Sequence, residues 1–318
     1  MKERRGKLTV PLPTRNGVGP SRTCLPAGDW QTIAQCLIEH FSNTAASEWM
    51  RRIGAAEVVD GAGTIVTSTR AHEPGAIIFY YRTIEDEPRI PFEETVLFQD
   101  EHIIVADKPH FLPVIPGGRF LQETLLVRLK RRLGIDSLVP IHRIDGATAG
   151  LVVFSVQERT RGAYQALFRE RAVEKHYEAI ALHNDALRLP MVYESRVVQD
   201  EHFMRMREVA GEPNARTTIA LIEKLESAPS RREFARYLLS PTTGRKHQLR
   251  VQCAALGIPI VNDPFYPVLR ARHQIGGVDD FAHPLQLLAR EIAFRDPITL
   301  KERRFKTLRT LVSASAAL

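Results

Sequence analysis

His142-Arg143-Ile144-Asp145-Gly146-Ala147-Thr148-Ala149-Gly150 is the stretch on which the reading of this chain turns. It sets one carboxylate, Asp145, beside an arginine in a glycine-bounded turn. Behind it, Leu151 to Phe154 is a short apolar and β-branched run that reads as a buried strand; ahead of it, Leu138 to Ile141 is a second apolar run. A carboxylate on a loop between rigid apolar elements is how a reactive side chain is held at a cleft. Taken alone, the Asp-Gly pair equally describes an Asx-turn, in which Asp145 only accepts backbone N–H groups.

Further clusters surround this stretch. Thr95 to Phe98 and His102 to Ala106 read as short strands, followed by Asp107-Lys108-Pro109-His110-Phe111-Leu112-Pro113-Val114, where the prolines fix a rigid loop. Glu123 to Arg132 has helical spacing, with Arg128, Lys130, Arg131 and Arg132 on its polar side and Gly134 as its stop. Downstream, Glu158 to Arg171 reads as a helix and Lys175-His176-Tyr177-Glu178-Ala179-Ile180-Ala181 as a strand. Leu239 to Val251 is expected to form a strand, a Thr/Gly cap and a helix from about His247 to Leu256. Within it Leu249 and Arg250 are adjacent, so one packs while the other points to the cleft. Ile258 to Tyr266 and Leu287 to Phe294 complete the series.

These segments, in this order, resemble the motifs of the RluA-type pseudouridine synthases. The central stretch is similar to His-Arg-Leu-Asp-x-x-Thr-Ser-Gly, departing at Ile144 and Ala149. Asp107 to Val114 is similar to Asp-Lys-Pro-x-Gly-Leu-Pro-Val, with Phe111 for glycine, and Lys175-His176-Tyr177 to Lys-x-Tyr. Thr243 to Arg250 resembles Thr-Gly-Arg-x-His-Gln-Ile/Leu-Arg. Ile258 to Tyr266 parallels Gly-x-Pro-Ile-x-Gly-Asp-x-x-Tyr-Gly, with Asn262 and Pro267 replacing two glycines. Leu287 to Phe294 is similar to Leu-His-Ala-x-x-Leu-x-Phe, with Leu288 for histidine.

The resemblance implies an α+β fold: a mixed, largely antiparallel sheet with flanking helices and a central cleft. It implies an isomerase that turns uridine in RNA into pseudouridine. It makes Asp145 the nucleophile, Arg250 its partner, Tyr177 the ring that packs on the target uracil or moves a proton, and Leu249 part of the pocket. Arg143 is expected to insert where the base leaves its stack, with a salt-bridged structural role as the other reading. Arg245 and Lys108 are candidate RNA contacts, and His142 is left structural.

The chemistry explains why so few groups suffice. Glycoside hydrolases usually need two carboxylates, because the leaving alkoxide must be protonated and water activated. Uracil leaves as a delocalised anion and no water is consumed, so one ionised carboxylate can do the central work, with a hydrogen-bonded arginine favouring that form. Attack on the sugar and assisted elimination to a glycal both remain open, and neither requires a metal or an organic cofactor. The target base must first leave its stack, at a cost of a few kcal/mol that protein contacts offset. Two other readings stay open: a non-catalytic RNA-binding or assembly factor, disfavoured by the joint presence of Asp145, Tyr177 and Arg250, and a nucleoside hydrolase, disfavoured by the lack of an acidic cluster to activate water.

The chain of 318 residues has room for a large catalytic domain, expected over residues 85–318, and a smaller one over 29–84. Residues 1–28, rich in Pro, Gly, Arg and Ser, read as a basic arm. In the smaller domain Ile33, Cys36, Leu37 and Phe41 recur at helical spacing, a second helix covers Ala46 to Ile53, and a hairpin forms around Asp60-Gly61. That order is similar to the RNA-binding domain of ribosomal small-subunit protein four, which makes Arg51 and Arg52 candidate RNA contacts, with a solvated helix face as the alternative. Lys and Arg total 44 against 37 Asp and Glu, an excess that suits a polyanionic partner. Three scattered cysteines point to a reduced compartment and no zinc site. No apolar run approaches the roughly twenty residues of a membrane span. The expectation is a cytosolic monomer whose partner is ribosomal or transfer RNA.

Overall fold

The computed structural model describes residues 10–42, 44–225, 233–269 and 281–311. They divide into two compact units. The first takes the chain up to Pro88, with Pro116–Gln122 and Val127–Asp136. It contains β1 (Ser21–Cys24), α1 (Ile33–His40), α2 (Ala46–Gly54), β2 (Val58–Asp60) and β3 (Ile77–Tyr80). The strands form an antiparallel sheet in the order β1-β3-β2. Thr32 caps α1 by accepting a 3.1 Å bond from the Gln35 N–H, and both helices bury apolar side chains, Ile33, Cys36, Leu37, Trp49 and Ile53, with Leu25, Val58 and Ile78.

Two expectations change here. The arm expected through residue 28 does not run that far: Ser21–Cys24 is an edge strand and Leu25 is core. Gly19, Pro20 and Pro26 flank a strand of only four residues, and that punctuation hid it. Arg52 is not an RNA contact. Its side chain is only 3% exposed, donates to Glu48 at 2.9 Å and Thr83 at 2.9 Å, and lies over the Trp49 ring. Arg51 is half exposed, but Glu48 and Glu57 already answer its charge.

The second unit holds an eleven-stranded sheet. In chain order its elements are β4 (Thr95–Gln99), β5 (Ile103–Lys108), α3 (Leu125–Leu133, which begins in this unit), β6 (Val139–Pro140), β7 (Ala149–Ser155), α4 (Glu158–Arg169), β8 (Glu174–Leu182), β9 (Met191–Gln199), β10 (Met206–Val209), β11 (Ala215–Leu225), β12 (Phe234–Pro241), α5 (Gln248–Ala255), β13 (Leu287–Arg295) and β14 (Glu302–Lys306). The order across the sheet is β10-β9-β11-β12-β8-β13-β7-β5-β4, with β14 beside β13 and β6 beside β7. Every pairing is antiparallel except β13 with β7. This is the mixed, largely antiparallel α+β architecture expected.

β7 up to Phe154 and the first four residues of β5 are apolar because these strands are buried on both faces. The parallel junction is short: Ala149 faces Leu288, and Gly150 faces Ala289. Gly150 has φ +108°, and a Cβ on it would lie 2.3 Å from the Ala289 carbonyl oxygen, so only glycine fits. Ala149 and Leu288, two of the departures from the family motifs, are partners in this register and share one buried cluster.

The helix expected after Leu239 forms as α5, but without the Thr/Gly cap. His247 precedes it in the left-handed region at φ 55°, with no side-chain cap. The Thr243 hydroxyl is spent elsewhere, accepting from the Arg216 N–H at 2.8 Å and donating to Gln248 Oε1 at 2.8 Å.

Candidate active site

The turn that carries Asp145 lies between β6 and β7. Its main-chain carbonyl accepts from the Thr148 N–H at 3.1 Å, which closes the turn, and among the described residues no backbone N–H donates to its side chain. The Asx-turn reading therefore fails. Asp145 Oδ2 instead accepts from Arg250 Nη1 at 3.0 Å. Its other oxygen, Oδ1, has no hydrogen-bond partner among the described residues, and the side chain is 29% exposed.

Arg250 is held from behind. Its Nε and Nη2 donate to the two oxygens of Asp263 at 2.7 and 2.6 Å, a bidentate pair. Asp263 Oδ1 also accepts from the N–H groups of Phe265 and Tyr266 at 2.8 and 3.2 Å. Burial alone would lower the Arg250 pKa; the bonds and charges of Asp263 and Asp145 reverse that and raise it. The guanidinium is thus a permanent cation, pinned by one buried carboxylate and presented to a second that reaches the cleft.

His247 lies close by, its Nε2 3.8 Å from Asp145 Oδ2 and its Nδ1 3.0 Å from the Tyr266 hydroxyl. Tyr177, on β8, packs with Leu249 and Leu287 on the apolar side of the cleft. Burial and then the nearby Asp145 charge push its phenol pKa up, and its hydroxyl has no partner among the described residues. Leu249 lines the cleft while packing into the core; Arg250, its neighbour, does not displace it from either role.

The cleft encloses about 770 Å³. Arg143, Arg169, Arg171, Lys175, Arg245 and Lys246 stand on its walls with Arg250, and Asp145 is the one carboxylate among the lining residues. Arg143 and Arg171 have no side-chain hydrogen bond or ion pair among the described residues, so the salt-bridged reading of Arg143 is not realised. Arg245 is exposed on the wall, anchored by one bond to the Asn214 carbonyl at 3.1 Å.

Lys108 is placed otherwise than expected. It is fully buried at the end of β5, and its ammonium donates to the carbonyls of Pro109 and Gly146, each at 2.9 Å. It supports the Asp145 turn from beneath and does not face a phosphate. Burial drives its pKa down, opposed by Asp145. His110 adds a second support by donating from Nδ1 to the Ala147 carbonyl at 2.8 Å.

A scan against family models matches residues 102–255 to "RNA pseudouridylate synthase". The dual-specificity RNA pseudouridine synthase RluA of Haemophilus influenzae is 33% identical over 68% of this chain and 93% of its own length. The chain belongs to the RluA-type RNA pseudouridine synthases. Members of this family are isomerases that convert uridine in RNA to pseudouridine. A further relative, the tRNA pseudouridine(31) synthase of Saccharomyces cerevisiae, is 29% identical over 66% of this chain and 55% of its own length. Human RNA pseudouridylate synthase domain containing 1 superposes with a TM-score of 0.55 at 21% identity, covering 70% of this chain and 86% of that one, which supports the fold. Among the described residues no helix is long and apolar enough to cross a membrane.

Motif reading of the RluA-type signatures passed over Asp263, His247, Arg169, Arg171 and Lys246. Asp263 was open to inference: a buried arginine needs more than one partial partner, and Asp263 is the first acid after α5. The remaining wall cations come from the α4–β8 connection and the turn before α5, whose meeting at one cleft depends on sheet order.

Three histidines here are held neutral, with a consequence for stability. Burial lowers His247 to about 4 against the pull of Asp145, and lowers His110 to about 4 against its carbonyl partner. Burial, then Lys175, lowers His142 to about 3; its ring stacks on Phe168 and its Nε2 accepts from the Val153 N–H at 3.1 Å. In the unfolded chain these groups titrate near 6.5. Between that value and about 4 the unfolded state binds more protons than the folded one, so stability falls as pH falls through this window. Urea denaturation at about pH 7 and about pH 5, where most carboxylates stay ionised, is expected to show a loss of roughly 2 kcal/mol of stability for each of the three histidines at the lower pH. His142→Gln is expected to reduce that difference; equal midpoints in the parent protein would show that the histidines are not held neutral.

Proposed function

We propose that this chain isomerises specific uridines in ribosomal or transfer RNA, as a cytoplasmic monomer, with Asp145 as the nucleophile. One observation carries the reading: the cleft is walled by cations and, among the described residues, holds a single carboxylate, aimed by an arginine that a second, buried carboxylate fixes. The cations suit the RNA backbone. Arg143, unpartnered and exposed, is suited to fill the space that the flipped uridine vacates. Tyr177, Leu249 and Leu287 form the slot for the uracil. Asp145 then acts at the sugar through its free oxygen as the bond from C1′ to N1 breaks. The uracil turns, C5 bonds to C1′ as the Asp145 oxygen leaves it, and the proton lost from C5 is balanced by one gained at N1. Tyr177, with its unpartnered hydroxyl, stands where a proton can be passed. The name of the yeast relative supports transfer RNA among the substrates.

A lone carboxylate speaks against a hydrolase, which would need a second acid or base to activate water. The test is base-resolution mapping of pseudouridine in total RNA from cells with and without the gene. The expected result is loss of one or a few discrete sites on deletion and their return when the gene is restored. An unchanged map, in cells shown to express the protein, would overturn the reading.

A further inference from the structure

The hairpin loop between β9 and β10 carries Phe203, a residue that is 75% exposed. A single exposed apolar side chain is ordinary on a protein surface. This one differs in three respects. The His202 ring stacks against it, with centroids 5.4 Å apart and planes at 18°. Its backbone is tied down by side chains: Gln199 Nε2 donates to the carbonyls of Phe203 and Arg205 at 2.9 and 2.6 Å, and Asp200 Oδ1 accepts from the His202 N–H at 3.0 Å. Lys246, one of the cations on the wall of the Asp145 cleft, donates to the Phe203 carbonyl at 3.2 Å. An aromatic face is thus held in solvent, backed by a second ring and joined to the cleft by an ammonium group.

The loop also connects inward. The Arg205 guanidinium lies over the Tyr266 ring at 5.3 Å, and the Met206 N–H donates to the Tyr266 hydroxyl at 2.7 Å. That hydroxyl meets His247, which stands 3.8 Å from Asp145. The position of the Phe203 ring is therefore referenced to the reacting carboxylate through packed and bonded groups.

We infer that Phe203 is a stacking platform for an unpaired base of the RNA, at a nucleotide flanking the target uridine. This rests on the proposed function in taking RNA as the occupant of the cleft. RNA offers splayed bases once one nucleotide has been flipped, and aromatic side chains capture them by stacking with little regard to base identity. The neighbouring Lys246 supplies the charge that an adjoining phosphate needs.

The experiment uses the intact protein and end-labelled bulk transfer RNA and ribosomal RNA fragments from cells lacking the gene. Binding is read by fluorescence anisotropy at fixed salt, and initial rates of pseudouridine formation are read on the same RNA. Phe203→Ala is expected to raise both Kd and KM about 5- to 100-fold, with kcat close to that of the parent and the same thermal midpoint. Phe203→Tyr and Phe203→Trp are expected to bind as the parent does. Phe203→Leu, apolar but without a π face, is expected to behave as the alanine variant. Parent-like binding by Phe203→Ala or by Phe203→Leu would overturn the inference. A parent protein that binds RNA but forms no pseudouridine would overturn the proposed function, while the binding series would still decide the role of Phe203.

Discussion

Asp145→Asn is expected to remove pseudouridine formation, by roughly 10⁴-fold or more, while RNA affinity stays within about threefold. The amide keeps the shape of the carboxylate but carries no charge and is a poor nucleophile. The surrounding structure has little reason to move, because Arg250 remains bound to Asp263 by its two bonds of 2.7 and 2.6 Å. The turn is closed by the main-chain carbonyl of residue 145, and Lys108 and His110 hold the next two carbonyls, so the substitution touches none of these supports. Single-turnover pseudouridine formation and RNA anisotropy on the same preparation check both halves. More than about 1% of parent turnover would mean that Asp145 is not the nucleophile. Lost binding would mean that its role is to organise the cleft.

The second large effect is expected from Arg250→Met, and it falls on stability as well as turnover. Methionine fills most of the space but leaves Asp263, whose side chain is 1% exposed, with only the N–H groups of Phe265 and Tyr266. Leaving a buried charge without its partner costs about 3–5 kcal/mol. The two backbone donors place this case toward the lower figure. Asp145 at the same time loses the bond that orients it, so turnover is expected to vanish even where the protein is folded. Asp263→Asn is the informative contrast, since it removes the buried charge and keeps one bond to the guanidinium. Urea denaturation should place Asp263→Asn between the parent and Arg250→Met. If Arg250→Met unfolds at the parent midpoint, the triad contributes nothing to the fold.

Much of this site was legible in the sequence because its residues lie in short, ordered segments that each form one local element. Asp145, Tyr177, Leu249 and Arg250, read from three separate motifs, line one cleft. The errors share a physical cause, which is that charge on a side chain does not reveal its direction. Lys108 and Arg52 read as surface cations, yet both are buried because a local acceptor set, two carbonyls in one case and Glu48 with Thr83 in the other, satisfies them inside. Strands β1, β10 and β14 were missed because they are short, exposed on alternate residues or charge-rich, so neither apolar runs nor period marked them.

The departures from the family motifs also acquire physical content. Phe111, where glycine is usual, keeps the left-handed backbone with φ +67°. Its ring packs with Phe92 and Phe281, at centroid distances of 6.0 and 5.1 Å, and these contacts offset the strain that a side chain brings to that conformation. Asn262 likewise stands for glycine at φ +61°, a region that asparagine enters more readily than most residues.

The two-residue parallel junction of β7 with β13 has a consequence in time. Asp145 and Arg250 are 105 positions apart, and β13, which lies between β7 and β8, follows both in the chain. Contacts of such long sequence separation close late in folding. A ribosome that has made everything up to α5 has therefore produced Asp145, Arg250 and most of the sheet, but has not made β13, the strand that joins the two halves of that sheet.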